Sequence, residues 1–348
     1  MGLDRSILAT AIPKITSEFN SIDDVAWYGS SYLLTTCAFQ LPFGKLYAEF
    51  TAKWVFIAAL AIFEIGSIVA AAAPSSVALI VGRAIQGVGC AGAMTGGMTI
   101  LALALPVHKR PAFGGILAGV SGISQIVAPA LGGVLTQRAT WRWCFWINLP
   151  LGGITVLVVL FLVKLPPKPK STALADPAGF VRKLDPVGTA LLIPALVSLL
   201  LSLQWGGFAY AWANWRVILC FVLFGVLILV WFYLQHREGD AATLPLRIAR
   251  QRSIAAGMLF LLCATGSLFV VVYYVPIWFQ SVRRLSAEDS GVNFLAAMAA
   301  MTVSVISGGV LATKSGYYVP QMIVSTVLTS VAAGLIYRYD ADTSTAYW

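Results

Sequence analysis

The sequence predicts an all-α polytopic membrane protein with about 10–11 transmembrane helices. Three observations carry that prediction. Apolar residues make up 59% of the 348 residues and charged residues only 11%. The mean hydropathy is +0.84. Apolar stretches of spanning length also follow one another with short polar joints. A soluble domain carries roughly a quarter charged residues, so this chain has too little charge to cover a water-facing surface. Strands of a membrane barrel would be about ten residues of alternating polarity. The apolar runs here are continuous, which favours helices.

In chain order, the first apolar segment, 3–15, is too short to span alone, since a span needs about 20 residues. Full-length segments follow at 25–46, 54–73, 77–104, 113–135 and 143–163. A polar stretch rich in Pro and Lys, 164–185, ends at Leu184-Asp185-Pro186. That is a helix start with Pro in the first turn. Further spans read as 187–205, 217–234, 254–279, 292–312 and 320–337. Residues 1–165 are therefore expected to form a first six-helix bundle with a partial first helix. Residues 166–252 read as a cytoplasmic linker plus an inserted helix pair, and 253–348 as part of a second bundle. Both ends of the chain read as cut.

Orientation follows from the basic residues. One side carries Lys45, Lys53, Lys109, Arg110, Lys164, Lys168, Lys170, Arg182, Lys183, Arg237, Arg247, Arg250, Arg252 and Lys314. The other carries only Lys14, Arg138, Arg142, Arg283, Arg284 and Arg338. The linker is thus assigned to the cytoplasm. The net charge of +9 lies between apolar runs rather than on a soluble face, which argues against nucleic acid. The five cysteines fall within or beside apolar runs, without metal-ligand or disulfide spacing. The two histidines lie in joints, and no phosphate loop or zinc motif is present. No enzymatic activity, cofactor or metal site is expected.

Ionisable residues inside membrane helices are costly and mark function by default. Asp4, Arg83 and Glu64 qualify as proton-coupling candidates. Arg83 lies within Gly82-Arg83-Ala84-Ile85-Gln86-Gly87-Val88-Gly89, where Gly87 and Gly89 allow close helix approach. It remains charged and needs a partner. Asp4 is the expected one, with Glu64 as the alternative, and an ion pair that only pins two helices is the competing reading. In the fifth segment, Gly115 and Gly119 form a small-residue face, and Pro129 removes a backbone bond. Tyr28 and Tyr32 share a helix face. With Gln40 and Gln125 they are expected to reach a central substrate cavity; burial between helices is the other reading.

The chain resembles fungal-type members of the major facilitator superfamily, in the fourteen-helix drug:proton antiporter group. Leu3-Asp4 with Ala9-Thr10-Ala11-Ile12-Pro13 is similar to that family's first-helix motif. Arg83, Gln86, Gly87 and Gly89 match its fourth-helix motif, which the family associates with proton transfer. Ser124 to Gly133, including Pro129, Gly132 and Gly133, resembles its fifth-helix antiporter motif. Trp141 to Gly152, including Arg142, Asn148 and Pro150, is the most specific match, and Tyr274-Val275-Pro276 with Phe279-Gln280 and Ser290-Gly291 adds another. In the loop after the second helix, Ala48 stands where the family has an acid and Thr51 where it has a glycine. Ser124 and Ala128 replace usual glycines.

The resemblance implies a major facilitator fold and proton-coupled efflux of small organic molecules such as a drug, toxin or secondary metabolite. It also implies a monomer in a lipid bilayer, at the plasma membrane or alternatively the vacuolar membrane, with a proton gradient as energy source. The alternatives are a transport-inactive membrane protein, or a carrier of amino acids or iron chelates.

Overall fold

A computed structural model describes residues 2–21, 24–163, 165, 185–207, 209–239, 242–284 and 287–338. Lys164, Lys168, Lys170, Arg182 and Lys183, which contributed to the orientation, lie outside the described residues, as does the tail from 339. The elements are α1 (Gly2–Phe19), α2 (Val25–Glu49), α3 (Ala52–Ala71), α4 (Ser76–Ala104), α5 (Arg110–Arg138), the short α6 (Trp143–Trp146) and α7 (Asn148–Leu162). They continue with α8 (Pro186–Trp205), α9 (Trp215–Glu238), the short α10 (Leu246–Ala249), α11 (Arg252–Ser281), α12 (Ala287–Ser315) and α13 (Val319–Tyr337). Among the described residues there is no β-strand. Among the described residues, eight helical segments are long and apolar enough to cross a membrane; α1, α2 and α5 are the other long helices there.

The chain divides into two compact units, residues 1–104 with 127–250, and residues 105–126 with 251–348. This differs from the expected partition in two places. The inserted pair α8 and α9 groups with the first bundle, because α8 packs on α2 as well as on α9. The first part of α5 groups with the C-terminal helices, because Gly115 and Gly119 lie against α12. A Cβ on Gly115 would meet the Val305 carbonyl at 2.8 Å, and one on Gly119 would meet the Ile306 side chain at 2.7 Å.

In the first unit α4 is the central helix, flanked by α2 and α3. Its glycines explain why. A Cβ on Gly87 would strike Tyr32 and Thr35 of α2, and one on Gly89 would strike Phe63 of α3. Without side chains there, the backbones approach closely, and hydroxyls reach across. Thr35 donates to the Ala84 carbonyl at 2.8 Å, and Tyr47 donates to the Gly92 carbonyl at 2.9 Å. Ile7, Ile15, Leu79 and Phe145 fill a buried apolar core beside this interface.

The α8–α9 pair is closed by a buried polar hub. Asp185 sits in the left-handed region at φ 49°, where its Oδ1 accepts from the Gly188 amide at 2.7 Å and caps α8. Its Oδ2 accepts from Gln235 at 2.8 Å and from the Thr243 hydroxyl at 2.6 Å. Gln235 in turn accepts from the Leu244 amide at 2.8 Å. Asp185 stands before the α8 span. Burial disfavours its charged form, but the hydrogen bonds from Thr243, Gln235 and Gly188 outweigh that and hold its carboxyl below the usual range.

Candidate functional site

The polar centre of the first unit is built by five helices around Asp4, with the short α6 adding an aromatic ring. Asp4 is the acid of the α1 first turn and is fully buried. Arg83 Nη1 donates to its Oδ2 at 2.8 Å. Asn148, the first residue of α7, donates to Oδ1 at 3.1 Å, and Gln86 Nε2 reaches the same oxygen at 3.4 Å. Both carboxylate oxygens therefore receive donors, an arrangement that fits the ionised, acceptor-only form.

Arg83 has further partners through Nη1 and Nε. It donates to the Gln86 side chain at 2.9 Å and, through Nε, to the Tyr28 carbonyl at 3.1 Å. Its guanidinium lies 4.3 Å from the Tyr32 ring centre and 5.9 Å from that of Phe145, a cation–π setting in a site closed to solvent. Gln86 is one turn from Arg83 on the same face of α4 and bridges to Ser67 Oγ of α3 at 2.8 Å. Asn148 also reaches that hydroxyl, at 3.3 Å.

The expected partnership of Asp4 and Arg83 is thus the one observed. Glu64, the alternative partner, is half-buried on α3. A Cβ on Gly152 of α7 would strike its carboxyl, and its Oε2 is buried without a hydrogen-bond partner among the described residues.

Of the four residues expected at a substrate cavity, two are enclosed. Tyr28 and Tyr32 are both 0% exposed, so neither opens onto space. The Tyr28 hydroxyl pairs with Ser21 at 2.7 Å and Ser76 at 2.9 Å, and Tyr32 covers Arg83. The periodicity that put them on one helix face is correct, but that face packs on α4, because Gly87 draws the two helices together. Gln40 and Gln125 are exposed, and Gln125 donates to the Ser121 carbonyl at 3.3 Å within its own helix.

The remaining motif residues divide by role. Gly132 lies against α1, where an added Cβ would meet Ile7 at 2.7 Å, whereas one on Gly133 would meet nothing within 4 Å. The α5 helix runs on through position 129, so Pro129 does not break it. Arg142 pairs with Glu18 at 2.8 Å and donates to the Ala73 carbonyl at 3.0 Å, while Trp141 Nε1 donates to Glu18 at 2.6 Å. This motif therefore ties the ends of α1 and α3 to the segment before α7. Pro150 sits in the first turn of α7, where no amide is missed. It lines, with Trp143, Trp146 and Leu149, a largely apolar groove of about 630 Å³.

Ser67, Gln86 as a bridge, and Glu18 were not singled out from sequence. Gln86 carried a signal, being three residues from Arg83 on one helix face. Ser67 had none, as a lone hydroxyl in an apolar run.

Comparison with known proteins is consistent with this geometry. The family model described as Major Facilitator Superfamily matches residues 1–208. An MFS-type efflux pump of Arthroderma benhamiae is 48% identical over the whole chain, which covers 65% of that protein. The efflux pump aflT of Aspergillus parasiticus is 47% identical, again over the whole chain and 68% of its own length. The chain thus spans about two thirds of the length of these curated relatives. Among solved structures, the proton:xylose symporter XylE matches with a TM-score of 0.52 at 14% identity, over 89% of this chain and 66% of the symporter. That likeness concerns the fold alone.

Proposed function

This chain belongs to the Major Facilitator Superfamily, and we propose that it exports small organic molecules, such as a toxin or secondary metabolite, in exchange for protons. It is an integral multi-pass membrane protein. In this reading it acts as a monomer in the plasma membrane, without enzymatic activity, cofactor or nucleic-acid partner. The vacuolar membrane is the alternative location.

The observation that carries the reading is the Asp4–Arg83 pair. Two opposite charges sit almost fully enclosed in a membrane bundle, held by two neutral side chains: Gln86, which accepts from Arg83 and donates to Asp4, and Asn148, which donates to Asp4. When Asp4 is ionised, Arg83, Asn148 and Gln86 hold it. When a proton arrives on Asp4, the carboxyl becomes a donor on one oxygen. The bond to Arg83 then weakens, and α1 is released from α4. Proton entry on one side and loss on the other would bias the two states of an exchange cycle. One proton falling through 100 mV releases about 2.3 kcal/mol, enough for a roughly fiftyfold gradient of a neutral solute. The relatives named as efflux pumps support the outward direction.

The test is reconstitution in proteoliposomes that trap a pH-sensitive dye, with ethidium as the probe substrate. The reading requires ethidium movement to drive opposite proton movement, abolished by an uncoupler. Ethidium flux with no proton flux would refute coupling. No flux for ethidium or for a panel of amphipathic compounds, amino acids and iron chelates would favour a transport-inactive role.

A further inference from the structure

We propose that Glu64 is a second proton-binding site, a neutral carboxylic acid whose proton is linked to the charge on Asp4 along the α3–α7 seam. This rests on the proton-coupled reading for its role in the cycle, and on the seam itself for the proton.

The seam has two polar steps. On α3, Glu64 and Ser67 are three residues apart and share a face. On α7, Asn148 and Gly152 are four apart and share a face. Ser67 meets Asn148 at 3.3 Å, and Asn148 carries on to Asp4 at 3.1 Å. One turn along, the Glu64 carboxyl fills the niche left by the missing side chain of Gly152. The second acid therefore stands one helical step from the donors of the first.

The charges described around Glu64 favour its neutral form. No cation lies within ion-pair distance of Glu64 among the described residues, since the ion pairs there are Arg83–Asp4 and Arg142–Glu18. Helix α7 has no titratable side chain, and α6 offers only Cys144. On α4 the titratable groups are Arg83, already bound to Asp4, and Cys90. On α2 they are Tyr28, Tyr32, Cys37 and Tyr47, with Lys45 and Glu49 close to the α2–α3 turn. A carboxylate sealed at Oε2 without a donor or a cation is unfavourable, and a second negative charge would repel Asp4. A protonated carboxyl avoids both costs. The proton on Glu64 is thereby linked to the charge on Asp4. Glu64 keeps its proton while Asp4 is ionised. It can release that proton to water when Asp4 has gained one and Arg83 is free, so the two acids together exchange one charge.

The direct test is infrared difference spectroscopy on the purified protein across pH, reading the protonated-carboxyl band. The proposal predicts such a band at neutral pH, its loss in Glu64→Gln, and its disappearance at lower pH in Asp4→Asn. Should Asp4→Asn fail to fold, Gly152→Ala, which displaces the carboxyl from its niche, is expected to shift the band in the same direction. No Glu64 band at neutral pH, or a band unmoved in both variants, overturns the proposal whether or not the protein transports anything. Ethidium-driven proton flux on the same samples tests the underlying reading separately. A Glu64 band that behaves as predicted without any proton flux would leave the second site standing and remove the efflux cycle.

Discussion

Asn148 and Arg83 hold opposite oxygens of one carboxylate, Asn148 at 3.1 Å from Asp4 Oδ1 and Arg83 at 2.8 Å from Oδ2. The pair of charges is therefore fixed from α7 as well as from α4, and a change at Asp4 is felt at once by both helices.

Arg83→Ala should destabilise the protein by about 3–5 kcal/mol, the usual cost of leaving one partner of a buried ion pair alone. Arg83→Lys should not restore it. An ammonium cannot reach Asp4, Gln86 and the Tyr28 carbonyl with one planar group. Thermal unfolding in detergent, wild type against both variants, checks this. A lysine variant as stable as wild type would show that charge alone is needed.

Tyr32→Ala should cost about 3 kcal/mol, the typical loss for a buried aromatic, while Tyr32→Phe keeps the ring over Arg83 and loses little. The substrate panel of Tyr32→Phe should match wild type, because the ring is enclosed rather than open to solute. Export assays with several compounds, normalised to protein level, measure this. An altered substrate profile in the Phe variant would return Tyr32 to the cavity.

Gly87→Ala should lower folded yield and cost about 1–3 kcal/mol, since its methyl meets Tyr32 and Thr35 across a closed interface. Gly133→Ala, in open space, should stay within about 0.5 kcal/mol of wild type. Size-exclusion recovery and melting temperature distinguish the two. Equal tolerance at both positions would refute the close α2–α4 approach.

The Asp185 hub should make the α8–α9 closure acid-sensitive. Its folded carboxyl titrates below the ordinary 3.8. Its contribution to stability is therefore full above that value and is lost as pH falls through the lower folded value. Amide exchange of the segment around Thr243 and Leu244 should rise in that acid window, and Asp185→Asn should raise it already at neutral pH. Exchange unchanged by the substitution would mean the hub does not hold the pair closed.

Long helices were legible because each is a continuous apolar run, and their ends fell within a few residues of the polar joints. Asp4 and Arg83 were legible because a charge in such a run is costly and needs a partner. Other parts were not. Asp185 announced a helix start beside Pro186, but its partners Gln235 and Thr243 lie 50 and 58 residues on, and no local pattern links them. Tyr28 and Tyr32 were placed on the right face of α2. Whether that face meets solute or another helix depends on Gly87, fifty-odd residues away in sequence. Domain grouping depended on the same kind of distant contact, Gly115 against α12.

The central claim is that Asp4 carries the proton that drives export. Its most direct test is ethidium-driven proton flux in proteoliposomes, wild type against Asp4→Asn at matched protein levels, with ethidium exchange in the absence of a pH gradient measured alongside. The account predicts that the variant loses proton flux and pH dependence while exchange persists. Proton flux equal to wild type would contradict it and leave the Asp4–Arg83 pair as a structural pin.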